Sequence, residues 1–149
     1  MPEKNKEQMF SVRVRAFIKK NEKVLLVKEQ EEHYYETPGG GVQRGETIEQ
    51  ALRREVLEET GYAVKIEKIL DVAEKMLKDG RHAIHLIFIC EPTEKIKEPL
   101  PDIVDVRWFS RDEIKQRLAD GLIDIHDKRV MEMFCKEENK KQVRNDLHC

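Results

Sequence analysis

Residues 40–62 read GGVQRGETIEQALRREVLEETGY, a stretch that contains one helix with both ends marked. Thr47 and Gln50 stand at capping-box spacing, so the helix is expected to start near Ile48. Gly61 suits the left-handed residue that ends a helix. The span is about 13 residues, or roughly 20 Å. Ile48, Ala51, Leu52 and Val56 form its apolar stripe. Glu55, Glu58 and Glu59 fall at i, i+3 and i+4 and share a face. Like charges at that spacing cost a few tenths of a kcal/mol per pair, roughly. Such a stack is either a solvated charged face or a platform for a neutralising cation.

Working outward, residues 10–18 alternate Val12, Val14, Ala16 and Ile18 with Arg13, Arg15 and Phe17, the pattern of a half-buried strand. Residues 23–27 form a second strand and 34–37 a short third. Pro38-Gly39-Gly40-Gly41 is then expected to break regular structure. Residues 64–76 and 81–90 read as two strands joined around Asp79-Gly80, a hairpin signal. Residues 104–109 make another strand. Ser110 and Glu113 form a second capping box, Phe109 and Ile114 stand as a hydrophobic staple, and the helix should stop at Gly121. Val130, Met133 and Phe134 mark a last helix. The order β-β-β-α-β-β-β-α-α fits an α/β protein with a mixed sheet packed between helices.

The chain has 149 residues, one ordinary domain, with about 1–8 and 137–149 expected as flexible tails. A formal net charge of −2 gives no electrostatic case for nucleic acid or a membrane surface. No apolar run reaches the roughly 18 residues of a membrane span. MPEKNKEQ lacks the apolar core of a signal peptide. Cys90, Cys135 and Cys149 are odd in number and irregularly spaced, which points to reduced thiols in a cytoplasm, with Cys90 and Cys135 as packing residues.

The segment resembles the Nudix (MutT-type) box, GX5EX7REUXEEXGU, where U is aliphatic. Gly40, Glu46, Arg54, Glu55, Glu58, Glu59 and Gly61 fill its fixed positions and Val56 the first aliphatic one. Tyr62 departs from the pattern, at a position that packs on the sheet. The resemblance implies the family's α/β/α sandwich and hydrolysis of a diphosphate bond in a nucleoside diphosphate linked to another group. It implies Mg²⁺, or Mn²⁺, as cofactor, and hard carboxylate oxygens suit both. Glu58 and Glu59 are then the main metal ligands, and Glu55 a further ligand or the general base. Glu59 is also a catalytic candidate, and the Gly40 carbonyl completes the metal shell. Glu46 and Arg54 form a structural ion pair. The partner is a small nucleotide, and the family often forms homodimers.

Some relatives take the base from a later loop, where Glu98, Asp102 and Asp105 stand here; the rival reading is solvated loop carboxylates. Arg13 and Arg15 either clamp a phosphate or make surface ion pairs, the second being preferred. Arg81 and His85 share a strand face and invite the same two readings. Tyr34 and Tyr35 either stack a nucleobase or pack in the core, and Trp108 reads as core. The proline that marks ADP-ribose relatives is replaced by Lys78, and the tyrosine of dinucleoside polyphosphate relatives by Asp79 and Gly80. That leaves nucleoside triphosphates or an unassigned derivative. Two rivals remain: a nucleotide or ADP-ribose binding module without turnover, and an isomerase, to which Cys90 gives little support.

Overall fold

The computed structural model describes residues 10–147, with side chains as far as Glu137. The expected flexible tails and Cys149 therefore fall almost wholly outside the described side chains. The strands are β1 (Phe10–Lys20), β2 (Lys23–Glu29), β3 (Gly39–Gly41), β4 (Tyr62–Met76), β5 (His82–Lys95) and β6 (Ile103–Ser110). The helices are α1 (Ile48–Thr60), α2 (Arg111–Ala119) and α3 (Lys128–Leu147), with a 3-10 turn at Ile125–Asp127. The sheet order is β4-β5-β1-β2-β6, with β3 paired to β1. β1 runs parallel to β5, and every other pair is antiparallel. The sheet is mixed, as the element order implies.

Two apolar clusters fill the layers. Val14, Ala16, Ile18 and Leu25 meet Ala51, Leu52 and Val56 of α1 on one side. Phe17, Val24, Leu26 and Phe109 meet Ile114, Val130, Met131 and Phe134 on the other. β1 is thus covered on both faces, and all of Val14 to Ile18 is buried, where alternation suggests one wet face. Its central place in the sheet overrides the pattern.

Both capping boxes are present: Thr47 Oγ1 accepts from the Gln50 N–H at 3.1 Å, and Ser110 Oγ from Glu113 N–H at 3.2 Å. Gly61 ends α1 at φ 80°, and β4 begins at the next residue. Ile48 shares the buried arc but stays 40% exposed, because the first turn lies beyond the sheet's cover. In α3, Met131 and Cys135 enter the core with Val130 and Phe134, while Met133 stays exposed. Trp108 is half-buried and packs edge-on to Tyr62.

The largest departure is at the glycines. Residues 34–37 make only single bridges, Tyr35 to Ile123 and Glu36 to Val27. Gly39–Gly41 form a strand, with Arg15 opposite Gly39 and Arg13 opposite Gly41. A Cβ at Gly39 would collide with the Val14 carbonyl, and one at Gly40 would lie 2.5 Å from Glu55 Oε1. Lack of a side chain here permits close packing and causes no break.

Candidate active site

α1 lies across β3, so each box carboxylate meets a different environment. Arg54 holds the outer ones. It donates to Glu46 through Nε at 2.6 Å and Nη2 at 3.0 Å, to Glu55 Oε1 at 2.8 Å and to Glu58 Oε2 at 3.3 Å. Its Nη2 also reaches the Gly41 carbonyl at 3.2 Å. The Arg54 fork, helped by the Gln43 N–H, holds Glu46 down to about 2. One guanidinium thus ties the glycine strand, the following loop and the helix together.

Glu59 points inward. It is 7% exposed, and its Oε2 accepts from Gly39 N–H at 2.9 Å. Its Oε1 is buried without a partner. Burial pushes this carboxyl up to about 9, against the pull of the Gly39 N–H and Arg15. An anionic oxygen shut away from water with no donor suits a proton or a hard cation.

The Gly40 carbonyl takes part in the sheet. Ala16 N–H donates to Pro38 and Val42 N–H to Val12, so alternation makes Val14 and Gly40 the hydrogen-bonded pair between them. That leaves one lone pair of the Gly40 oxygen for another ligand.

A second set of groups lies on the opposite face of β1. Arg15 is 5% exposed, which replaces the surface ion pair preferred for it with a buried role. It donates to the Thr37 carbonyl at 2.8 Å and stands 3.7 Å from Glu36. Burial alone would lower its pKa, but Asp127, Glu36 and Glu59 outweigh that and raise it. Asp127 accepts from both Thr37 N–H and Thr37 Oγ1 at 2.7 Å, and burial raises its carboxyl. Burial pushes Glu36 up to about 7 although Arg15 opposes it. Oxygens of Glu29, Glu36 and Glu59 lie within 4.8 Å of one another.

The remaining candidates divide. His85, 2% exposed, is the register partner of Arg13 and stacks on His126 at 6.0 Å. Burial and then Arg15 lower it to about 4, and its Nε2 has no partner. Arg13 is half-buried beside Gly41. Tyr35 is a core residue whose hydroxyl bonds Asp105, and Arg107 holds the same carboxylate at 2.8 Å. Tyr34 is half-buried, edge-on to His33. Arg81 pairs with Asp79 at the hairpin, Glu98 with Lys95, and Asp102 is an exposed loop residue. The structure does not bring these last three to the box carboxylates through any bond. Glu29, Glu36, Asp124, His126 and Asp127 escaped the sequence reading. Only Glu36, two residues before the Pro-Gly run, carried a positional hint.

The NUDIX domain model matches residues 9–132, and the chain belongs to the NUDIX family of hydrolases. A solved NUDIX hydrolase from Nitrosomonas europaea superposes with TM-score 0.74 at 26% identity, over 87% of this chain and 90% of that one. An ADP-ribose pyrophosphatase from Methanocaldococcus jannaschii is 38% identical over 85 residues, 54% of this chain and 50% of that protein. A nucleoside triphosphatase, NudI, from Escherichia coli is 34% identical over 86 residues, 51% of this chain and 61% of that protein. The chain spans between half and two thirds of the length of these two relatives.

Proposed function

We propose that this chain hydrolyses the diphosphate bond of a nucleoside diphosphate linked to another group, with Mg²⁺ or Mn²⁺ as cofactor. The observation that carries the reading is the box helix laid across the glycine strand, with Glu59 Oε1 buried and unpartnered. Glu55, Glu58, Glu59 and the Gly40 carbonyl would hold the cation; all are hard oxygen donors. When bound, it supplies charge neutralisation at the phosphates and makes water more acidic.

The chain's own residues do the rest. Arg54 fixes Glu55 through Oε1 and leaves Oε2 to accept a proton from water. Glu59 is fixed by the Gly39 N–H. Glu46 and Gln43 keep the Arg54 fork in place. Arg13 and Arg15 bring positive charge to the glycine strand from the other face. The relatives named above support a nucleotide substrate but differ over which one. Lys78 stands against ADP-ribose, which leaves nucleoside triphosphates or another nucleoside diphosphate derivative. No helix among the described residues is long and apolar enough to cross a membrane. Burial of Cys90 and Cys135 in the apolar layers fits packing roles in a reducing cytoplasm.

The test is a panel of nucleoside triphosphates, ADP-ribose, nucleotide sugars and dinucleoside polyphosphates with Mg²⁺ and Mn²⁺. Phosphate release would be assayed with and without phosphatase and pyrophosphatase. Metal-dependent release from one class supports the reading. Tight binding across the panel without release would replace it with a binding module.

A further inference from the structure

Among the described residues, several acids gather around Arg15. Arg15 is the buried cation among Glu36, Glu59, Asp124 and Asp127, all of which are under 9% exposed. Asp127 is satisfied by Thr37, and Asp124 by His126 at 3.1 Å. Glu36 has Arg15 at 3.7 Å, an ion pair longer than a hydrogen bond. Glu29, at the end of β2, adds a further carboxylate, and its oxygen lies within 4.8 Å of those of Glu36 and Glu59.

An acidic cluster alone says little, since such groups are common on surfaces. Here a second observation stands beside it. Glu59 is more than nine-tenths buried, belongs to the cluster, and has a buried oxygen with no partner. Backbone groups also anchor two of the three. Val27 and Glu36 exchange N–H to carbonyl bonds at 2.9 Å in both directions, which fixes Glu36 against β2. Gly39 N–H fixes Glu59. Oxygen donors on three separate elements at this spacing, two of them anchored by backbone groups, suit a hard cation.

We propose that Glu29 and Glu36, both outside the box, join Glu59 to bind a divalent cation on the inner side of α1, distinct from the position on the outer face set by Glu55 and Glu58. Glu59 is common to both positions. The inference rests on the metal-dependent reading above.

The test is a Mn²⁺ titration followed by the electron paramagnetic resonance signal of free Mn²⁺, on the full chain without substrate. The wild type is expected to take up more than one ion. Glu29→Gln, at a half-buried position that should leave the fold intact, is expected to weaken one class of site about tenfold or more and spare the other. Glu58→Gln should weaken the other class. Glu36→Gln should match Glu29→Gln, with circular dichroism to report folding. Isotherms for Glu29→Gln and Glu36→Gln that overlay the wild type overturn the inference, as does a wild type that takes up one ion or none. Unchanged isotherms with intact Mg²⁺-dependent turnover remove the inner site and leave the hydrolase reading standing. Shifted isotherms with no turnover on the substrate panel keep the inner site and remove the hydrolase reading.

Discussion

The box segment, 39–61, and the loop before it, 30–38, reach the same site by opposite routes. Inside the box every polar bond named closes within the segment: Thr47 to Gln50 and Gln43 to Glu46 span three residues, Arg54 to Glu46 eight, and Gly39 to Glu59 twenty. In and around the loop they are long-range: Arg15 to Thr37 spans 22 residues, Tyr35 to Asp105 70, and Thr37 to Asp127 90. The first region is assembled by its own sequence, and the second by the finished fold. Local bonds form a helix whose ends are set before packing. Distant ones hold buried charge that only the whole sheet can bring together.

Glu59→Gln should lower metal-dependent turnover about 10³-fold or more. The fold should survive, since a neutral amide replaces a buried carboxyl. Near-wild-type turnover would take Glu59 out of the chemistry. Asp127→Ala strips both acceptors from Thr37 and a counter-charge from Arg15, at a cost of about 3 kcal/mol. Urea denaturation should show a lower midpoint at constant slope, and a loss under about 1 kcal/mol would mean that the loop is held by other means.

His85 gives a pH test. Its folded value, about 4, lies below its ordinary 6.5, so the unfolded chain binds more protons in that window. The stability that it contributes is present above pH 6.5 and is lost as pH falls toward 4. Relative to His85→Leu, the wild type should lose about 2 kcal/mol between pH 7 and pH 5. Parallel curves would mean that the folded imidazole titrates at its ordinary value, unshifted by burial. Thr47→Ala removes one local bond and should cost about 1 kcal/mol by thermal melting, the smallest of the four.

What was legible follows the same division. The limits of α1, the cap at Ser110 and the acidic triplet could be read because each signal lies within a few residues of its effect. The strand at Gly39–Gly41 could not, because glycine marks both a turn and a place of close approach. Only the neighbouring Val14 and Glu55 decide between the two. The role of Arg15 was misread because alternation cannot show that both faces of β1 are covered. Glu29 and Asp127 carry no mark in the chain, and Glu36 only its place before the Pro-Gly run; their meeting is a property of the folded sheet.

Gly61 is the single joint between α1 and β4. One residue inserted there would turn the acidic face by about 100° relative to the strand, or exchange the two sides of that strand. Either way the carboxylates and the sheet would fall out of phase. The distance from the triplet to Gly61 is therefore a gear ratio. Substitutions around it change how well the parts mesh, and an insertion or deletion strips the teeth.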